Sequence, residues 1–291
     1  IGLPENLALF ENLDDRKRIL AEAFRSDTML FESYRTNKSQ DKYLANCLAM
    51  ISDYKRKFIS PTNSELTDEN ARIYAAYNDQ LMLQGAIDFD DILYYAYRIF
   101  SEIPNVSKLY TTQYKYICVD EAQDTSKIQH AIIALLAQRD KNLFMVGDED
   151  QSIYGFRAAY PEALLDFEKV YPSAKMLLME DNFRSNAKIV RAADGFIQKN
   201  ELRHEKHMKP TRPAATDIRT ISMKSRKSQY MYLAKVAEQC ETETAVLYRD
   251  NESILPVVDL LERRGISYRI RNADLSFFSH KIVVDIQNII H

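Results

Sequence analysis

The sequence predicts an α/β protein: a wholly helical N-terminal stretch, then two units in which short apolar strands alternate with helices. Three observations carry this expectation. Apolar residues recur at three- and four-residue intervals through the first 85 residues. After Pro104 the pattern changes to apolar runs of five or six residues separated by helix-length segments, as in a mainly parallel sheet. Two of those runs, ending at Val119 and Val146, pass directly into acidic segments.

In the helical stretch, residues 14–24, 41–58 and 67–84 have amphipathic spacing, and 36–39 and 60–64 carry loop chemistry. Asp88 is placed to cap a helix over 89–101, with Asp90 and Asp91 in the first turn, where the helix dipole favours acids. Lys55, Arg56 and Lys57 read as a solvated basic face. Strands follow at 114–119, 142–146 and 175–179, with helices at 126–138 and 161–170. Residues 207–213, holding two prolines, read as a local break. Beyond it come strands at 217–222, 244–248 and 267–271 and helices at 228–240, 251–264 and 279–290.

Composition narrows the functional classes. The 39 Lys and Arg nearly cancel the 42 Asp and Glu, leaving a net charge of −3, so a strongly basic arm is not the theme. Cys47, Cys118 and Cys240 stand far apart with no C-x-x-C spacing, which argues against zinc ribbons, redox dithiols and disulfide scaffolds. Neither a membrane-length apolar run nor a secretory pattern is present, and the expectation is a cytoplasmic protein without a membrane partner. None of the six glycines stands in a G-x-G relation or precedes Lys-Ser or Lys-Thr, so both the P-loop and the dinucleotide fingerprint are missing. The chain opens on Ile1 and closes on an apolar-periodic run, 283–291, which predicts a piece of a longer protein.

The acidic segments are the chemical signal. Val119 leads into Asp120-Glu121-Ala122-Gln123-Asp124, and Val146 into Gly147-Asp148-Glu149-Asp150-Gln151. In open α/β sheets ligands bind beyond the carboxyl ends of strands. An Asp there can ligate Mg2+ through oxygen, and a neighbouring Glu can orient or deprotonate water. The competing reading is that such acids cap the next helix.

Residues 119–125 (VDEAQDT) resemble motif II, and residues 146–157 (VGDEDQSIYGFR) motif III, of the UvrD/Rep/PcrA-type superfamily-one DNA helicases. Residues 178–185 (LMEDNFRS) are similar to motif IV, and 87–92 (IDFDDI) to the segment that re-enters the first motor domain after its helical insertion. The resemblance runs from about residue 85 to the end, and the helical start fits the insertion. It implies RecA-like, P-loop-NTPase-type parallel sheet layers. The insertion would span 1–85, the rest of the first motor domain 86–180, and an incomplete second motor domain 181–291.

By that resemblance Asp120 would ligate Mg2+, Glu121 would be the catalytic base, and Gln151 would sense the γ-phosphate of ATP. Arg184 falls on the arginine finger, and Phe183 stands where the family usually has a Tyr that stacks on adenine. Tyr154 and Phe156 occupy positions that stack on single-stranded DNA, with Arg157 linking the DNA and nucleotide sites; core packing is the competing reading for Tyr154. The parent protein would couple ATP hydrolysis to translocation on single-stranded DNA and unwinding at duplex junctions. This chain alone, without the P-loop, is expected to be inactive. Two alternatives stay open: a non-catalytic, helicase-derived DNA- or partner-binding module, and a Mg2+-dependent nuclease built on the acids at 120, 121, 124, 148 and 150.

Overall fold

A computed structural model describes residues 6–155 and 158–270. The chain divides into two compact units, Ile1–Thr216 and Asp217–His291.

The first unit opens not on a helix, as the wholly helical start expected, but with a short strand, β1 (Ala8–Phe10), followed by four helices, α1 (Leu13–Ser26), α2 (Thr28–Thr36), α3 (Gln40–Arg56) and α4 (Asp68–Leu83). Side-chain caps start three of them. Asn12 accepts from the Asp14 amide, Asp27 from those of Met29 and Leu30, and Thr67 from that of Asn70. Their apolar faces meet in a core built on Ile19, Leu20, Phe24, Leu48, Ile51 and Tyr77. Strand β2 (Ala86–Asp88) then returns beside β1 in parallel, Ala8 opposite Ala86.

Helices α5 (Phe89–Glu102) and α6 (Pro104–Gln113) precede β3 (Ile117–Val119), α7 (Lys127–Ala137) and β4 (Leu143–Met145). Strands β3 and β4 pair in parallel, Ile117 opposite Leu143. Two single-turn helices, α8 (Glu162–Leu165) and α9 (Phe167–Val170), lead to β5 (Asp181–Asn186), α10 (Ala187–Ile197) and β6 (Lys209–Arg212), with β5 and β6 also parallel. In the second unit, α11 (Arg226–Glu238) and α12 (Asn251–Arg263) pack through Ile254, Val257 and Val258 against Tyr230, Leu233 and Leu261. The result is a helix-rich α/β fold whose strand pairs, among the described residues, are all parallel.

Several expected elements differ. Residues 161–170 form two turns broken at Asp166. The residues expected as a strand at 175–179 join no ladder among the described residues, and the ladder begins at Asp181 instead. Leu177 and Met179 are 81% and 85% exposed, so this apolar run lacks the cover that would make it a buried strand. The expected break at 207–213 holds β6, whose Pro210 is tolerated because a two-stranded pair consists only of edges. Residues 217–222, 244–248 and 267–270 lie outside any ladder among the described residues. Leu247, 94% exposed, shows why: apolar alternation makes a strand only where a partner completes the ladder. Residue 271 and the helix expected at 279–290 lie outside the described residues.

Candidate functional site

The site forms where β3 and β4 end side by side. The Val146 amide donates to the Val119 carbonyl at 2.8 Å, and the Ala122 amide returns to the Val146 carbonyl at 2.9 Å, so the two acidic segments leave the same rim. Asp120 accepts the Glu121 amide on Oδ1 at 2.9 Å, and its Oδ2 makes no bond among the described contacts. Glu121 has left-handed backbone (φ 49°, ψ 43°), a conformation that costs a non-glycine residue on the order of 1 kcal/mol and is retained where surroundings enforce it. Both carboxylates are exposed.

What enforces the turn is Gln123, 2% exposed. Its Nε2 donates to Glu121 Oε2 at 2.7 Å, its Oε1 accepts the Asp148 amide at 3.0 Å, and its carbonyl accepts from Ser152 Oγ at 3.1 Å. One buried amide thereby clasps both strand ends. Gly147 makes the approach possible, since a Cβ there would stand 2.7 Å from Gln123 Oε1 and 2.8 Å from Leu164 Cδ1. Behind the turn, Thr125 Oγ1 donates to the Ala122 carbonyl at 2.6 Å and meets His130 Nε2 at 2.5 Å. Burial holds that imidazole below its usual pKa.

The second acidic segment is held by cations distant in sequence. Lys206 Nζ lies 2.6 Å from Asp148 Oδ1, 3.0 Å from Glu149 Oε2 and 3.4 Å from Asp150 Oδ2. Arg203 places Nε 3.0 Å from Oδ1 and Nη2 2.8 Å from Oδ2 of Asp150, a bidentate fork, and the His204 amide donates to Glu149 Oε1 at 2.8 Å. Burial alone would raise the Asp148 carboxyl, but the Lys206 ammonium and the Gln151 amide outweigh it and hold it below the usual carboxylate range. Glu149 is likewise lowered: the His204 amide and Lys206 overcome its burial. Gln151, exposed at the outer edge, donates Nε2 to Asp148 Oδ2 at 2.7 Å.

The structure therefore joins Glu121, through Gln123 and Asp148, to Gln151. It does not link Phe183 or Arg184 to this hydrogen-bonded path among the described contacts. Both lie exposed on β5, where Asn182 accepts the Arg184 amide at 3.1 Å and the Phe183 ring is 70% exposed. Tyr154 is half-buried in the loop after Gln151, and Phe156 and Arg157 lie outside the described residues. Of the five acids offered for a nuclease, Asp148 and Asp150 are committed to Lys206 and Arg203. The solvated basic face expected at 55–57 is corrected: Lys55 is buried, 2.6 Å from Asp91 and 3.1 Å from Asp88, and Arg56 lies 2.7 Å from Asp90. Only Lys57 is exposed there, paired with Asp53. Among the described residues, no helix is long and apolar enough to cross a membrane.

Acids at the carboxyl ends of adjacent parallel strands, with an amide-bearing turn beside them, stand at the rim where open α/β sheets bind ligands. Residues 2–172 match the family model of the UvrD/REP helicase N-terminal domain, and residues 177–291 that of the UvrD-like helicase C-terminal domain. The chain belongs to the UvrD/REP helicase family. It is 30% identical, over 98% of its length, to an ATP-dependent DNA helicase PcrA of Leuconostoc citreum, and 28% identical, again over 98%, to those of Staphylococcus epidermidis and Staphylococcus aureus. It spans 39% of the first of these relatives and 40% of the other two.

Proposed function

We propose that this chain carries the middle of an ATP-dependent DNA helicase. The division runs as a helical insertion at 1–85, the remainder of a RecA-like motor domain at 86–180 and the beginning of a second at 181–291. The observation that supports this most is the unbroken hydrogen-bonded path from Glu121 through Gln123 and Asp148 to Gln151. It ties the group suited to activate water to the group suited to feel the γ-phosphate.

The donors fit Mg2+, a hard cation that takes carboxylate oxygen and keeps much of its water: Asp120 is exposed with Oδ2 uncommitted. Bound Mg·ATP would supply the transferable phosphate. Glu121 would orient the attacking water and accept its proton, and Gln151 would turn its amide to the terminal phosphate. Phe183 would lie against adenine. Arg184 would bring a cation to the transferring group, a contribution typically worth ~10³–10⁵ in rate. Tyr154 and Phe156 would stack on bases of single-stranded DNA, with Arg157 beside them, each ring worth roughly 1–3 kcal/mol. The whole protein would act at single-strand to duplex junctions, in the cytoplasm where such DNA lies.

These 291 residues contain no P-loop, so the chain alone should show no DNA-stimulated ATP turnover and only weak Mg·ATP binding. Equilibrium titration with Mg·ATP tests the site: Asp120→Asn should abolish the Mg2+ dependence of what binding there is. Equal affinity with and without Mg2+ in the unsubstituted chain would sink the assignment. The same missing loop favours a second reading, a helicase-derived module that only binds DNA. For either, we expect weak, salt-sensitive binding of a single-stranded oligonucleotide, lost in the double variant Tyr154→Ala and Phe156→Ala. Undiminished binding by that variant would assign the rings to packing.

A further inference from the structure

We propose that Lys206 and Arg203 are positioning residues: they fix the acidic turn 148–151 and, through Asp148, set the orientation of the Gln151 amide. The inference rests on the reading of Gln151 given above and extends it to the segment that follows α10.

Asp148 has two oxygens and divides them. Oδ2 accepts the Gln151 side-chain amide at 2.7 Å, while Oδ1 is held by Lys206 Nζ at 2.6 Å and also accepts the Asp150 amide at 3.1 Å. A carboxylate pinned on one oxygen presents the other in a fixed direction, so the ammonium dictates where Gln151 finds its acceptor. Lys206 is itself shared with Glu149 and Asp150, which prevents it from following Asp148 if that side chain turns. Arg203 closes the other side, forking onto Asp150 and donating from Nη1 to Gln198 Oε1 at 2.6 Å, which anchors the turn to the end of α10. Arg203, Glu149 and Asp150 keep only 6%, 6% and 7% of their side-chain surface, so water competes little for these bonds. All of the cations come from more than 50 residues away in sequence. Displacement of the segment carrying them therefore changes the bonding available to Gln151 without any movement of β3 or β4.

The side-chain amide of Gln151 reports directly, in 15N-resolved NMR of the 291-residue chain, with its signal assigned by loss in Gln151→Ala. Lys206→Met should shift that signal and speed its solvent exchange about fivefold, the factor a typical net hydrogen bond is worth. Lys206→Arg should restore it, and Arg203→Gln should perturb it less, since Asp148 keeps its ammonium. A purely structural role would lower the melting temperature in all three variants without separating Met from Arg at the Gln151 amide. An unchanged Gln151 signal in Lys206→Met, or no rescue by Lys206→Arg, overturns the proposal. If Lys206→Met does not fold, Asp148→Asn, nearly isosteric, must produce the same release. Adding Mg·ATP, at a concentration where the equilibrium titration shows it bound, separates the two ideas. A Gln151 signal that follows Lys206 but ignores Mg·ATP supports the positioning and removes the nucleotide reading. The reverse pattern keeps that reading and overturns the positioning.

Discussion

Two acidic segments in this chain meet basic partners at nearly the same distances, yet their surroundings differ. Asp88, Asp90 and Asp91 lie at the start of α5, where Lys55 reaches Asp88 and Asp91, Arg16 approaches Asp88 at 3.3 Å and Arg56 meets Asp90 at 2.7 Å. Asp88 is fully buried, accepts the Tyr77 hydroxyl, and closes a capping box with Asp91. That network is sealed, and its work is to start α5 and dock it on α3. Asp148, Glu149 and Asp150 meet Lys206 and Arg203 as closely, but at a strand rim where Asp148 keeps 32% of its side-chain surface and hands one oxygen to an exposed amide. Depth and the neighbour beyond the ion pair, not the count of charges, separate a cap from a candidate site.

Breaking the sealed network should have the largest effect. Lys55→Met leaves Asp88 and Asp91 buried without their ammonium, a loss of about 3–5 kcal/mol. At roughly 2–4 °C per kcal/mol for a unit of this size, calorimetry should show the first unit melting about 6–20 °C lower. A change within a degree or two would mean that water enters the network. Gly147→Ala tests the rim and should cost less, about 1–3 kcal/mol, because the new methyl group must displace Gln123 or Leu164. Its specific signature is faster amide exchange at Asp148, whose bond to Gln123 is the one forced apart. Unaltered exchange there would remove Gln123 as the clasp.

Acid titration sharpens the contrast and carries the smallest effect. Asp148 and Glu149 are lowered on folding, so their stabilisation is complete above the unfolded carboxylate range and is lost as pH falls below about 5 through their folded values. In the sealed network the signs oppose. Burial would raise Asp88, but Lys55 and Arg16 hold it low, whereas burial raises Asp91 despite Lys55. Protonation of Asp91 on acidification therefore offsets part of what Asp88 loses. Amide exchange between about pH 6 and 3, corrected for its intrinsic pH dependence, should show the turn at 148–151 opening before the start of α5. The opposite order would contradict the assigned shifts.

Which features could be read in advance follows from the reach of each interaction. Asp88 as a cap was legible because its partner, Asp91, is three residues away. A mainly parallel arrangement, and the acids at the ends of β3 and β4, followed from apolar runs that stop at Val119 and Val146, though which strands would pair did not. Gln123 stood inside a recognised segment, but nothing local announces that its amide meets a residue 25 positions on. Arg203 and Lys206 were hidden more completely, because their partners are 53 to 58 residues away and no local pattern singles them out just ahead of the break at 207–213. Lys55 is different, since its signal was available: it continues the buried stripe of Leu44, Leu48 and Ile51 at helical spacing. A lysine on an apolar stripe needs an acid opposite, and the chain supplies three at α5. The second unit shows the converse limit, where alternation suggested strands at 217–222 and 244–248 but could not say whether a neighbour would pair with them.

The parallel pairing of β1 with β2 has a consequence for how such a chain can grow. Parallel neighbours require a crossover, and about a dozen residues suffice for one. Here residues 11–85 make that single connection, so the entire four-helix bundle is one enlarged crossover between Phe10 and Ala86. Closure entropy rises only logarithmically with length, about 0.6 kcal/mol per doubling, so the expansion adds less than about 2 kcal/mol to the cost of bringing the strands together. The bundle's own core offsets that many times over. An ancestral host could therefore acquire, exchange or shed such an excursion with little penalty to the strands that frame it, provided the two ends continued to arrive in register.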